Sequence, residues 1–370
     1  MKKKHLICGG KATVAACLAL YGLGCCPAVP KDLLSSQTDN NWWVIETDFT
    51  TWQLGGLWRR NLKKRINQVP AVKRLPERLE CVMSISPSSR MWVCETPSED
   101  YYLLDLHGEA CRKLKLPYRY ERSFYWYSWS PDERHLAIAS YDDVGKSIGS
   151  GIKNLWIYDF ANATLVPVKH FASTQNTPGQ TFLAKKSWVD NHCLLVGRSE
   201  NEIALLDIHK DVTAPFATAY QALVLPDKRV LLQTHGYGNE WHLVDLSPAK
   251  RRLSVLGGGS LIGTPSPADL AKGVRPPMHR RVTVSPDGRW LLVEVTHVVG
   301  TIVGFAAPAV RVYLRRIDDD RCWLLGGERV AKRTDPGWAH WVEISEDIAS
   351  KLGLPDRQRR KRHKAASVRR

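Results

Sequence analysis

A recurring pattern of four short apolar runs separated by turn residues constrains this chain more than anything else in it. The best-formed copy spans 124–168. Phe124–Trp129 and Leu136–Ser140 flank Ser130-Pro131-Asp132-Glu133, a Gly/Ser-rich loop follows, and Leu155–Phe160 and Thr164–Val168 flank a turn of small residues. The apolar positions show no helical period, so each run reads as a β-strand and the group as four antiparallel strands. Ser and Asp bond their own backbone and Pro presets φ, which makes 130–133 a tight turn. A single sheet of this size has no second layer on which to bury its faces. It needs copies of itself.

The copies are present. Val282–Val295 carries Ser285-Pro286-Asp287-Gly288 and is followed by Val310–Leu314, Asp318-Asp319-Asp320 and Cys322–Leu325. Val82–Cys94 carries Ser86-Pro87-Ser88-Ser89 and leads to Tyr101–Asp105 and His107-Gly108. Ala222–Leu232 carries Pro226-Asp227-Lys228 and leads to Trp241–Asp245. Ser187–Val196 with Ile203–Asp207 is a degenerate fifth copy that lacks the proline. An Asp closes the third strand in four of the five, at Asp105, Asp159, Asp207 and Asp245. Four-stranded repeats of about 35–60 residues indicate an all-β fold, a β-propeller of four-stranded antiparallel blades.

The Ser-Pro-Asp-Gly first hairpin and the aliphatic-aromatic-Asp third strand resemble the TolB-type and WD-repeat-like propeller family. The resemblance covers about Glu80 to Gly327. Only the copy at Ser285 has the full motif, and Glu133, Ser89 and Lys228 stand at the glycine place in others. The resemblance implies the fold and little about activity, because one fold hosts many functions. Trp42–Trp52 and Trp338–Ser345 are strand-like segments at the two ends. Members of this family often close the ring by pairing their termini, which implies six blades with one shared between the ends; seven is the alternative.

The ends carry their own signals. Residues 1–26 read as a targeting segment, with Lys2, Lys3 and Lys4 before an apolar run too short to span a bilayer. Its close, Leu23-Gly24-Cys25-Cys26, resembles a bacterial lipobox, which implies acylation of Cys25. Gly22 stands where Leu is usual, and Cys17 offers a competing site. Without an Asp directly after Cys25, the family's sorting logic points to the outer membrane. Residues 27–41 read as a polar tether, 42–355 as the propeller and 356–370 as a disordered basic tail. Leu57–Lys73, basic with apolar residues at helical spacing, reads as a short amphipathic helix.

The net charge of +16 belongs largely to the tails. Setting aside the eight Lys/Arg of 357–370 and the four Lys of 1–24 leaves +4 for the rest. That argues against nucleic acid as the partner of the core, and an exported tail meets anionic lipid or polymer sooner. Nine Cys are present, five of them (Cys81, Cys94, Cys111, Cys193, Cys322) beyond the targeting segment, with no zinc-ligand spacing. Cys81 and Cys94 flank one hairpin on one face, where either a disulfide or two buried thiols fits.

No cofactor or metal is expected, and no Gly-x-Ser-x-Gly elbow, His-Glu-x-x-His, P-loop or Rossmann fingerprint occurs. In such a blade the first-to-second and third-to-fourth turns lie at one end. Here these are tight: 130–133, 285–288, 161–163 and 247–249. The other connections are long: 141–153, 234–240, 296–308 and the links 170–185 and 258–280. Function concentrates on long loops carried by a rigid scaffold. The candidate ligand-binding residues are therefore Tyr141, Asp142, Asp143, His235, Tyr237, Asn239, Glu240, His297 and Phe305. Three readings follow. The first is a non-enzymatic cell-envelope propeller, held to the membrane through an acylated N-terminal Cys, that binds an envelope protein or polymer on the long-loop face. The second is a hydrolase or lyase of sugar or lactone substrates at the central channel, with Asp142, His235, Glu240 and His297 converging there. The third is a structural or assembly factor that spaces the two tails.

Overall fold

The structure, a computed structural model, describes residues 42–46, 49–53, 58–116, 124–141, 154–168, 187–199, 202–219, 221–233, 241–246, 254–255, 279–299, 307–317, 322–324, 329–330 and 339–354. The targeting segment, the tether and the basic tail lie outside them. The first strands are β1 (Trp42–Glu46), β2 (Thr50–Gln53) and β3 (Trp58–Asn61), followed by the single-turn helices α1 (Lys63–Ile66) and α2 (Pro70–Lys73). A second sheet holds β4 (Cys81–Ile85), β5 (Met91–Glu95), β6 (Tyr101–Asp105) and β7 (Ala110–Lys113). The third holds β8 (Phe124–Trp129), β9 (His135–Tyr141), β10 (Asn154–Asp159) and β11 (Thr164–Pro167). The fourth has β12 (Cys193–Ser199), β13 (Glu202–Asp207) and β14 (Val212–Ala217). In it the expected first strand is reduced to one bridge, Trp188 to Leu194.

The fifth sheet holds β15 (Gln221–Val224), β16 (Arg229–Gln233), β17 (Trp241–Asp245) and β18 (Ser254–Val255). The sixth holds β19 (His279–Val284), β20 (Trp290–Val299), β21 (Ala307–Arg316) and β22 (Cys322–Leu324), with β23 (Arg329–Val330) pairing further along β21. Finally β24 (Ala339–Glu343) returns to the first sheet, which is ordered β24-β1-β2-β3, and the helix α3 (Glu346–Lys351) follows. Every strand pairing is antiparallel, and there are six sheets among the described residues.

Each sheet buries its faces on the next. Val93, Leu103 and Trp156 share a core between the second and third sheets. Ala139, Leu155, Leu194 and Val196 join the third and fourth, and Leu195, Ile203, Val230 and Leu232 join the fourth and fifth. Leu231, Trp241, Leu291 and Val293 join the fifth and sixth. Ile45, Phe49, Trp92 and Leu104 join the first and second. Between the sixth and the first, β19 lies beside β24. A fully buried Leu or Val contributes roughly 2 kcal/mol, so a sheet with both faces in water would forfeit the larger part of its stabilisation. This cyclic order of packing is that of a β-propeller.

Tryptophan fastens the inner strands. Trp129 donates its indole N–H to Ser84 Oγ (3.1 Å), Trp188 to the Ser128 carbonyl (2.9 Å) and Trp341 to the Thr283 carbonyl (3.3 Å). Each bond runs from one sheet to the innermost strand of the sheet before it. A buried indole usually takes a partner for its one donor, and these three tryptophans are used in blade packing.

One local reading changes. Leu57–Lys73 is not one helix. Arg59 and Arg60 lie in β3, with Cα partners Trp52 and Thr51, and Pro70 starts a separate turn because its ring cannot continue a helix from the N-terminal side. The apolar stripe is real, with Leu62, Ile66 and Val72 buried on the core that the C-terminal Ile348 and Leu352 also enter. The turn expected at 247–249 lies outside the described residues; β18 begins at Ser254, its Cα opposite Leu243. Cys81 and Cys94 are not joined in a disulfide, which settles their alternative in favour of two thiols.

Candidate functional site

One edge of the ring is built from the tight first hairpins, and its chemistry explains the Ser-Pro-Asp-Gly motif residue by residue. In the third sheet Ser130 Oγ accepts from the His135 N–H (2.9 Å), and Asp132 Oδ1 accepts from the Arg134 N–H (3.1 Å). The sixth sheet repeats this, with Ser285 Oγ accepting from the Trp290 N–H (2.9 Å) and Asp287 Oδ1 from the Arg289 N–H (3.0 Å). The last motif position is left-handed in every copy that has it: Ser89 (φ 63°), Glu133 (φ 59°), Lys228 (φ 64°) and Gly288 (φ 72°). Glycine alone adopts that region without cost.

These turns also touch each other. Ser88 Oγ donates to Glu133 Oε2 (2.8 Å) and the Asp132 N–H donates to Asn191 Oδ1 (3.2 Å). A Cβ on Gly288 would stand 2.9 Å from Pro226 Cδ. The third-strand aspartates cap the turns that follow, Asp105 through the N–H groups of His107 (3.0 Å) and Gly108 (2.9 Å), and Asp207 through those of His209 (3.0 Å) and Lys210 (3.1 Å). Burial works to raise Asp105, but Arg90 and the capping N–H groups outweigh it and hold the carboxyl below its ordinary value. Burial is likewise outweighed at Asp132, by Ser130 and Arg134, and at Asp159, by Ala161 and Asn162. These Ser, Asp, Glu and Asn groups are committed to holding turns.

The opposite edge carries the connections between second and third strands. They span 142–153 in the third sheet, 234–240 in the fifth and 300–306 in the sixth, but only 200–201 in the fourth and 47–49 in the first. Tyr141 ends β9 with its Cα opposite Phe124. His297 sits in β20 rather than in a loop, its Cα opposite Ala309, because β20 and β21 pair as far as Val299 and Ala307. Both lie toward this edge, but in the third and sixth sheets, which are not neighbours, so they are not brought together. Asp142, Asp143, His235, Tyr237, Asn239, Glu240, Phe305 and the acylation candidate Cys25 lie outside the described residues.

A cavity that the sequence did not single out, of about 220 Å³, lies among the described residues at the seam of α1, α2 and α3. Val69, Pro70, Leu106, Ile348 and Leu352 contribute apolar surface and Arg65, Gln68, Glu109 and Lys351 polar groups. Lys351 Nζ lies 3.5 Å from Glu109 and 3.4 Å from Asp347. Burial disfavours its charge, but these two carboxylates outweigh that and raise its pKa. The sequence signal that could have led here is Ser345 as helix cap, its Oγ accepting from the Ile348 N–H, followed by apolar Ile348 and Leu352 on one face. In the second sheet burial raises the Cys94 thiol well above its ordinary value, with Cys111 and Cys81 adding to it, and pushes Cys111 up to about 11. Both are therefore neutral thiols near pH 7, unsuited to nucleophilic work. Among the described residues, no three His, Cys, Asp or Glu side chains are grouped to hold a metal ion, and no helix is long and apolar enough to cross a membrane.

No family model matches the chain, and no curated protein matches it. Among solved structures it is similar to an oligogalacturonate lyase in complex with manganese, at 9% identity and TM-score 0.42 over 81% of this chain and 73% of that one. It is also similar to the Myceliophteria thermophila Cps50 (Swd1) β-propeller domain, at 11% identity and TM-score 0.39 over 74% and 98%. The tricorn protease matches at 12% identity and TM-score 0.30, over 76% of this chain and 24% of that one. Likenesses this distant say nothing about activity, and the fold assignment rests on the sheets and their order of packing.

Proposed function

We propose that this protein is an exported, envelope-anchored, six-bladed propeller without enzymatic activity that binds a protein or polymer ligand on its long-connection edge. The observation that carries the reading is the asymmetry between the two edges. On one edge Ser, Asp, Glu and Asn side chains are spent on turn hydrogen bonds and contacts between neighbouring turns. The other edge receives connections as long as 142–153. A rigid ring presenting unequal loops at one edge suits recognition of a large partner. The closure of the first sheet by β24 supports counting six blades. An acyl group on Cys25 would hold the ring near a membrane through the tether 27–41. The inner strands support the non-enzymatic reading: Ser84 Oγ accepts from the Trp129 indole and Ser128 Oγ from the Ser187 N–H, so both hydroxyls are used between neighbouring sheets.

The test compares envelope material captured by the mature wild-type protein with that captured by a variant in which 142–153 and 234–240 are both shortened to two-residue turns. The reading expects a partner present in the first set and lost from the second, and a mass shift for an acylated Cys25. A captured set unchanged by both deletions rejects the edge. The lyase-or-hydrolase rival predicts instead that single substitutions at Asp142, His235, Glu240 or His297 abolish turnover of a sugar or lactone substrate.

A further inference from the structure

The fourth sheet has three strands among the described residues, and the turns before β12 and after β13 bring together groups that the turn chemistry does not require. His192 precedes β12 and His209 follows β13. His209 Nε2 stands 2.5 Å from His192 Nδ1, with ring centroids 4.3 Å apart. Both side chains are exposed. An ordinary hydrogen bond between ring nitrogens would hold them near about 2.9–3.0 Å. The backbone fixes where both rings start. Asp190 Oδ1 accepts from the His192 N–H (2.7 Å), Asp207 Oδ1 from the His209 N–H (3.0 Å), and the Ile208 N–H donates to the His192 carbonyl (2.9 Å). The two imidazoles thus project from adjacent, hydrogen-bonded segments and bring one ring nitrogen of each together.

We propose that His192 and His209 form a two-imidazole chelate for an imidazole-preferring divalent ion of the copper, nickel and zinc class. Such ions bind a ring nitrogen at about 2.0–2.1 Å, which sets two nitrogens of one coordination sphere about 2.9–3.4 Å apart. The rings reach that spacing by opening less than about 1 Å, a small rotation for exposed side chains. The surrounding charge favours a cation. The carboxylates of Asp190 and Asp207 bracket the site, and their field, after burial, raises the Cys193 thiol. Asp207 also pairs with Lys210 at 2.9 Å, so the field is only partly offset. No third His, Cys, Asp or Glu among the described residues joins the pair in a metal-holding group. The ion would therefore keep open positions for water or for a donor from a partner. Hard, oxygen-preferring Mg(II) does not fit two neutral imidazoles.

The experiment is calorimetric titration of the full chain with Cu(II), Ni(II), Zn(II) and Mg(II) near pH 7.5, on wild type, His192→Ala, His209→Ala and a distant control, His107→Ala. The chain has 12 His, so the control separates this pair from general surface binding. The expected result is one Cu(II) site per chain that each of the two variants weakens about tenfold or more while His107→Ala leaves it intact, with no response to Mg(II). Unchanged thermal unfolding of both variants would show that the loss is local. Equal Cu(II) binding by wild type and both variants overturns the proposal, as does a wild type that binds none of the three ions.

Discussion

The third and fourth sheets sit side by side and solve the same problem with different amounts of chain. The third has four strands, the Ser130-Pro131-Asp132-Glu133 turn and a capped third-to-fourth turn. The fourth has three strands, no proline turn and a single bridge at Trp188 in place of a first strand. Yet the junction between them is intact. The Trp188 indole donates to the Ser128 carbonyl, its ring stacks on His135 at 6.0 Å, and the Ser187 N–H donates to Ser128 Oγ at 3.2 Å. The difference teaches that the ring requires the contact between neighbours more than it requires the hairpin motif. The motif organises a blade's own turn, and the tryptophan fastens the blade to the one before it.

That comparison breaks first at Trp188. Replacing this buried side chain with Ala should cost about 3–5 kcal/mol, the usual loss for a large core aromatic, and should lower the unfolding midpoint about as much as Trp129→Ala does. A much smaller loss at Trp188 would mean that the degenerate sheet is not fastened by it. Next comes Gly288→Ala, which meets both a left-handed φ of 72° and Pro226 Cδ at 2.9 Å. The cost should be about 1–3 kcal/mol, read as a drop in denaturant midpoint. Ser128→Ala removes the acceptor of a buried backbone N–H and should cost about 1–2 kcal/mol, while the Trp188 bond to the Ser128 carbonyl survives. Lys228→Gly relieves a left-handed non-glycine residue at an exposed turn and should stabilise by up to about 1 kcal/mol.

The smallest expected effect is in acid. The carboxyls of Asp132, Asp159 and Asp207 all lie below their ordinary value in the folded chain. A depressed folded pKa contributes stability that is complete above the unfolded value and is lost as pH falls through the folded one. Stability should therefore begin to decline below about pH 4. The third sheet holds two of these groups and the fourth one, so amide exchange at moderately acid pH should rise first in β8–β11. Equal onset in both sheets would remove this distinction.

Strand runs and their turns were legible because the chemistry is local. Ser130, Pro131 and Asp132 fix a turn whatever surrounds them, and the third-strand Asp caps the next one. Trp42–Trp52 and Trp338–Ser345 were legible as strands by composition, and their pairing was what the family resemblance implied. What was not legible depended on tertiary context. Arg59 and Arg60 fall within the helical spacing of Leu57, Leu62, Ile66 and Val69, but their Cα pairing with Trp52 and Thr51 holds them in a strand. His297 reads as loop by its distance from the Ser285 turn, while cross-strand pairing with Ala309 extends the sheet past it. The seam cavity and the His192–His209 pair join residues 17 to about 280 positions apart in sequence, which no local pattern records.

The central claim is that the chain closes on itself through β24 and β1. Amide exchange across Trp42–Glu46, in the full chain and in one ending at residue 338, tests it directly, with β8–β11 as reference. Closure predicts that the β1 amides facing β24 are protected in the full chain and that truncation brings these to the rate of an unpaired segment, while those facing β2 stay slow. Protection of the β24-facing amides of β1 that survives the loss of β24 would contradict a ring and leave six sheets in an open row.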